Sequence, residues 1–247
     1  FNTEVHYGCP YDCGLCTDHE QHSCVSIVEL TDRCNLTCPT CYAGSSPTYG
    51  RHRTLDEVKV MLDIVVESEG EPDIIQLSGG EPTIHPQFFD ILAYAKTLPI
   101  RHIMINTNGV RLADDEGFAE ELNEYMPGIE VYLQFDSFKE EVLIKLRGKD
   151  LVEKKQKALE KLEHFNIHST LVTTLERGQN NDEIGAIIDF ALQYRCLRGV
   201  TFQPTQFAGR VEKFDPSKNK YTLTEVRQDI LNQTDIFNEN DIIPVPC

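Results

Sequence analysis

Cys34, Cys38 and Cys41, standing together in CNLTCPTC, carry the densest chemistry in this 247-residue sequence. Three thiolates on one loop can bond three irons of a 4Fe-4S cluster and leave the fourth iron open to a small chelating ligand. A structural zinc site asks for four ligands, usually on paired CxxC knuckles. A strand-like run precedes the loop, and the next such run ends at Gly79-Gly80-Glu81-Pro82. Its two glycines allow the backbone to approach a ligand closely, and the carboxylate beside them can accept hydrogen bonds from an ammonium group.

A second group, Cys9, Cys13 and Cys16 with Cys24 beyond, offers four thiolates, enough to close a site completely. Spacing leaves that site open between an auxiliary 4Fe-4S cluster and structural zinc, and zinc would also accept His19 or His22. Nine cysteines are many for a cytosolic chain, and the later chain is a cysteine-poor α/β pattern that needs no disulfide staples. In a reducing compartment such crowding argues for metal ligation. Both ends of the sequence read as cut, and Cys247 after Pro-Val-Pro would fit a site completed elsewhere.

Other residues have plainer readings. Cys196 sits in an apolar segment and reads as packing. His102, His164 and His168 show no partner spacing, and Lys154-Lys155-Gln156-Lys157 reads as a solvated helix face. Gln203, at the end of a late strand, is placed either to touch an adenine ring or to pack.

The elements that must position these groups alternate between strand-like and helix-like segments. Strands are expected at 25–30, 73–77, 101–107, 129–135, 168–175 and 199–202. Helices are expected from the capping box at Thr54 and Glu57 to about 70, and at 85–98, 115–126, 151–165 and 181–194. No GxGxxG follows the first strand, so a dinucleotide-binding sheet is disfavoured. The expected class is α/β, a partial (β/α)6 TIM-type barrel with a cysteine-rich N-terminal extension. The expected division is 1–24 for the auxiliary-cluster segment, 25–208 for the core and 209–247 for the start of a C-terminal extension with one helix at 223–231. In parallel barrels the reactive groups sit on loops at the carboxyl ends of strands, where each of these motifs falls.

Charge narrows the partners. With 40 Asp and Glu against 23 Lys and Arg, the formal net charge is -17. Such a surface repels phosphate backbones and anionic headgroups, so generic nucleic-acid or peripheral membrane binding is not expected. No stretch approaches the roughly 18 apolar residues of a membrane span, and the N-terminal residues lack a signal-peptide pattern, so a cytoplasmic location is expected.

The three-cysteine loop followed by GGEP resembles the radical S-adenosylmethionine superfamily over about residues 25–205. The resemblance implies that Cys34, Cys38 and Cys41 hold the cluster, that its open iron binds the methionine end of S-adenosylmethionine, and that Gly79, Gly80 and Glu81 meet the amino group. Thr107-Asn108-Gly109 resembles the family's TNG turn beside the cofactor, and Gln134 and Asp136 resemble its SxD stretch, whose polar side chains hold ribose or carboxylate. The family usually has an aromatic residue just before the third cysteine. Thr40 stands there, and Tyr42, one place after that cysteine, is expected to meet adenine through its backbone.

The run YGCPYDCGLCTDHEQHSC before LTDRCNLTCPTCYA resembles the tetraether lipid synthase group and the related pterin dimethyltransferases. This implies a multi-cluster enzyme in which Cys9, Cys13, Cys16 and Cys24 hold an auxiliary 4Fe-4S cluster. It also implies an external electron donor and a 5'-deoxyadenosyl radical used for carbon-carbon bond formation or methylation on a lipid or pterin substrate. A peptide- or cofactor-maturing enzyme is the second reading, and a non-catalytic metal-binding module is the third.

Overall fold

The computed structural model describes residues 23–211 and 215–242. Cys9, Cys13, Cys16, His19, His22 and Cys247 lie outside the described residues. In chain order the elements are β1 (Ser26–Thr31), β2 (Thr40–Cys41), α1 (Leu55–Glu69), β3 (Ile74–Gly79), α2 (Phe88–Ala95), β4 (His102–Thr107), α3 (Val110–Asp114) and α4 (Phe118–Asn123). There follow β5 (Ile129–Gln134), α5 (Glu140–Arg147), α6 (Val152–Phe165), β6 (Ser169–Leu175), α7 (Ile184–Ala191), β7 (Leu197–Pro204), β8 (Arg210–Val211), α8 (Pro216–Asn219) and α9 (Leu223–Gln233).

Six strands form one sheet in the order β1-β3-β4-β5-β6-β7, and every neighbouring pair is parallel. This is the open, partial TIM-type barrel that alternating βα units require. The pleat sends successive side chains to opposite faces. On β5, Ile129, Val131 and Leu133 are fully buried with the helix-covered core, whereas Glu130, Tyr132 and Gln134 between them are half-buried. Leu133→Ala removes a side chain with no exposed surface from the middle of this core. It is expected to cost about 2–5 kcal/mol in chemical denaturation, without changing the slope of the transition.

Local signals account for the helices. Thr54 and Glu57 cap α1 reciprocally, and Thr222 and Glu225 do the same for α9. The helix expected at 115–126 is the shorter α4, and a further short helix, α3, precedes it. Gly109 adopts φ +77 and starts α3 directly, and the Asp115 carboxylate accepts from the Gly117 amide and breaks the path. Helix α5 was not foreseen. Its signal was Val142, Leu143 and Leu146 at helical spacing, closed by the left-handed Gly148. Lys155 is not on a solvated face: it is 2% exposed, whereas Lys157 is exposed. Cys196 is packed in the core as its apolar setting predicts.

The expected boundary at 209 is bridged by contacts. β8 pairs antiparallel with β2, joining Arg210 to Cys41, while Tyr221 and Val226 pack with Leu175, Ile184 and Ile188 of the barrel's last units.

Candidate metal and cofactor site

The cysteine loop leaves β1 and lies directly on the end of β3. The Gly80 amide donates to the Thr31 carbonyl at 2.8 Å, and the Glu81 amide donates to the Arg33 carbonyl at 2.9 Å. A Cβ on Gly79 would stand 2.2 Å from the Thr31 oxygen, and one on Gly80 only 2.1 Å from the Arg33 oxygen. The glycine pair is therefore required first by backbone-to-backbone packing of the cysteine loop, a contact that precedes any ligand.

That packing places Cys34 and Cys38, 8% and 7% exposed, and half-buried Cys41 around a cavity of about 470 Å³. Gly79, Gly80, Asn108 and Gln134 share the wall, as does Tyr42, which is otherwise exposed. Burial pushes the Cys34 thiol up to about 12. Burial also raises Cys38, with the Arg147 guanidinium opposing it. Thiolates at such places need positive charge beside them, which ligation to iron supplies. The Leu36 amide donates to the Cys34 sulfur at 3.4 Å, and the Asn108 carboxamide points to it at 3.9 Å while donating to the Asn35 oxygen at 2.7 Å.

Among the described residues, no three His, Cys, Asp or Glu side chains gather closely enough for a single metal ion. The thiols instead ring a cavity, which suits a cluster that bonds each thiolate to a different iron. The residues present fit such a group. Cys24, the member of the other cysteine set that is described, is an exposed free thiol just ahead of β1.

Three of the expected cofactor-binding residues stand behind this wall. Glu81 is 1% exposed. Its carboxylate accepts from the Thr83 amide at 3.1 Å, the Thr83 hydroxyl at 2.6 Å, the Thr107 hydroxyl at 2.7 Å and the Asn108 amide at 2.7 Å. Burial raises its pKa, and these donors work against the rise. Glu81 thus binds the end of β3 to the end of β4, and neither it nor Thr107 lines the cavity. Asp136, fully buried, is also set back from the cavity and is held by Arg147 through Nε and Nη2, both at 2.6 Å. Arg147, from the unforeseen α5, does line the cavity and is the one charged side chain among its described lining residues.

Lys155 is a further buried charge beside them, donating to the Asn108 carbonyl at 2.7 Å. Burial lowers its pKa to about 8, with Asp136 the chief opposing influence. Between that value and 10.5 the unfolded chain holds a proton that the folded chain has released, so folding stability gains with rising pH. Lys155→Met is expected to flatten this rise. Urea midpoints of both proteins, without cluster and at pH 8 to 10, give the comparison.

The wall also carries carboxamides and hydroxyls, set among the apolar Ile27, Val172 and Pro204. The Asn106 amide donates to the Ser78 hydroxyl at 3.2 Å, and the Gln203 amide donates to the Tyr132 hydroxyl at 3.3 Å. The Gln76 and Gln134 carboxamides border the same space. His102 is paired with Glu130 at 3.0 Å, and His168 contacts Arg198, so both histidines are satisfied and neither lines the cavity.

The signature of the Radical SAM superfamily matches residues 28–191, more than half of the chain, from within β1 to the end of α7. The chain belongs to the radical SAM superfamily. A 7,8-dihydro-6-hydroxymethylpterin dimethyltransferase of Methanocaldococcus jannaschii is 34% identical over 99% of the chain and 49% of its own length. A GTP 3',8-cyclase of Chlorobaculum tepidum is 30% identical over 72% of the chain and 53% of its own length. The chain thus spans about half the length of these curated relatives. In three dimensions it is similar to Streptococcus suis SuiB solved with S-adenosylmethionine, with a TM-score of 0.68, 16% identity, 86% of this chain and 47% of that one covered. Membership of the radical SAM superfamily brings with it a 4Fe-4S cluster and S-adenosylmethionine, for which the cysteine loop and cavity have the required form. Among the described residues no helix is long and apolar enough to cross a membrane.

Proposed function

We propose that this chain is the radical-generating part of an enzyme that forms carbon-carbon bonds on, or methylates, a compact polar heterocycle of the pterin class. The observation that carries this reading is the inner wall of the cavity. Among its described lining residues, Gln76, Asn106, Tyr132 and Gln203 offer hydrogen-bonding side chains between the apolar Ile27, Val172 and Pro204, and Arg147 is the sole charge. A flat ring rich in N–H and C=O groups would satisfy such a wall, whereas a long alkyl chain would strand it. The pterin dimethyltransferase relative, matched along 99% of this chain, supports the same substrate class.

When bound, the cluster and S-adenosylmethionine supply one-electron cleavage of a carbon-sulfur bond and hence a hydrogen-abstracting 5'-deoxyadenosyl radical. The chain's own residues hold and shield that chemistry. Cys34, Cys38 and Cys41 ligate, and the Leu36 amide and Asn108 carboxamide lend hydrogen bonds to the Cys34 sulfur. Gly79, Gly80, Asn108, Gln134 and Tyr42 form the cofactor wall. Glu81, Thr107 and Asp136 keep that wall in place from behind. Cys9, Cys13 and Cys16 with exposed Cys24 hold an auxiliary 4Fe-4S cluster in this proposal. Oxidation-sensitive clusters suit a reducing, cytoplasmic setting with an external electron donor.

The test is anaerobic reconstitution of the full-length protein, followed by measurement of 5'-deoxyadenosine under reduction with a hydroxymethyl dihydropterin or a long-chain lipid present. Pterin-stimulated release is expected, and Gln76→Leu is expected to weaken the pterin's KM about tenfold through one lost hydrogen bond in a dry site. Release with lipid but not pterin would refute the substrate class, and no release at all would refute the enzyme.

A further inference from the structure

Downstream of the barrel's last long strand, Arg210 reaches back across 172 residues of sequence to the cysteine loop. Its Nε donates to the Cys38 carbonyl at 2.7 Å, one terminal nitrogen donates to the Gly44 carbonyl at 3.2 Å, and the other donates to the Ser45 carbonyl at 2.8 Å. The geometry points to Arg210 as a positioning residue for the cluster, a clamp that fixes the shape of the loop bearing Cys38 and Cys41.

Three independent features converge on this assignment. The loop has little regular structure of its own: between Cys34 and Ser46, two residues, Thr40 and Cys41, are in a named strand, and that strand is completed by Val211 and Arg210. A segment so poor in internal pairing keeps one conformation only if something outside it accepts the entropic cost of ordering. Beside Arg210, Gly209 adopts φ +66, and a Cβ there would stand 2.1 Å from the Tyr42 carbonyl oxygen. The two backbones therefore touch at the residue following the third cysteine, an approach only glycine permits. Finally, the guanidinium is permanently charged, planar and forked, and it satisfies three carbonyls that diverge from one another, which a lysine ammonium cannot match in the same plane.

The clamp also has a direction. Thr205, Gln206 and Ala208, just before it, line the same cavity as the cysteines. Arg210 thus holds the cluster loop from the side of the cavity that the last long strand supplies, and the cluster's seat is built from segments that follow the first and the last strand of the sheet. Arg210 touches no sulfur, so its influence passes through the backbone of Cys38, Gly44 and Ser45.

The assignment rests on Cys34, Cys38 and Cys41 as cluster ligands, so the experiment separates the two. Hydrogen exchange of peptides covering residues 34–46 is compared between the parent and Arg210→Gln in the full-length protein, with and without iron. The rate of iron loss to a chelator is followed in the loaded proteins. The expected result is at least tenfold faster exchange in 34–46 with strands β3 to β6 unchanged, at least tenfold faster iron loss, and partial recovery of both in Arg210→Lys. Parent-like exchange and parent-like iron loss in Arg210→Gln would overturn the clamp. Faster exchange spread evenly over the sheet would overturn it too, by making Arg210 a general stabiliser. Should Arg210→Gln fail to fold, Arg210→Lys decides by the same two measurements, and parent-like values there overturn the clamp. If the parent itself binds no iron, the cysteine assignment fails, while the clamp is still judged by exchange in the iron-free protein.

Discussion

Gly80→Ala is expected to leave the sheet folded and to deprive the protein of its cluster. The added carbon would stand 2.1 Å from the Arg33 carbonyl oxygen and 2.5 Å from the Arg33 carbonyl carbon, and neither is a side chain that can swing aside. The cost must be met by moving the backbone one residue before Cys34, and that movement carries the first thiolate out of register with the other two. Overpacking of this kind costs about 1–3 kcal/mol in stability. Iron and sulfide content with the visible absorbance of the reconstituted protein measures the larger effect. Gly44→Ala is the internal comparison. Gly44 has φ +63 but nothing within 4 Å of a Cβ, so it is expected to lose about 1 kcal/mol and to keep most of its iron. A Gly80→Ala protein that loads iron like its parent would show that the loop is far softer than its packing implies.

The second large effect lies behind the cavity wall. Arg147→Met leaves Asp136, which has no exposed surface, without its bidentate partner. Losing one member of a buried ion pair typically costs about 3–5 kcal/mol, because the remaining charge keeps its desolvation penalty. The pH dependence has a definite sign. Burial alone would raise the pKa of Asp136, but Arg147 overrides it and holds the carboxyl below its ordinary 3.8. The parent therefore has this stabilisation in full above that ordinary value and loses it as pH falls through the depressed one. In Arg147→Met the burial effect prevails, so acid unfolding is expected to begin at higher pH. Asp136→Asn combined with Arg147→Met is expected to recover part of the loss, since it removes the unpaired charge. Urea denaturation from pH 3 to 8 tests both statements, and an Arg147→Met midpoint within about 0.5 kcal/mol of the parent would dismiss the pair's structural role.

Sequence patterning reveals most of the frame because it depends on local periodicity. The alternation on β5, the capping box at Thr54 and Glu57, and the turn at Asn108-Gly109 each declare an element within a few residues. It missed α5 because Lys139 provides no side-chain cap and the charged residues on its exposed face dilute the apolar stripe. With α5 went Arg147, the one charged side chain among the cavity's described lining residues. Lys155 was misplaced for a related reason. A lysine in a run with other lysines reads as solvent-facing, and only the packing of α6 under the Asn108 turn shows that its ammonium is enclosed.

For the cysteine loop, the residue types and their spacing are enough to propose three ligands and an open coordination position, and together with GGEP they carry the resemblance to the superfamily to which the chain belongs, because the chemistry of a cluster is written in closely spaced thiolates. Tertiary structure alone decided the rest. It moved Glu81, Thr107 and Asp136 behind the cavity wall, since the Glu81 carboxylate found donors in the Thr107 hydroxyl and the Asn108 amide at the end of β4, and Asp136 found Arg147 of α5. It also assigned Gly79 and Gly80 to the loop's own backbone and brought in Arg147, Lys155 and Arg210 from elements up to 172 residues away. Ligand identity is local in sequence, whereas burial, charge compensation and the shape of a loop depend on chain segments that meet only when the sheet closes around them.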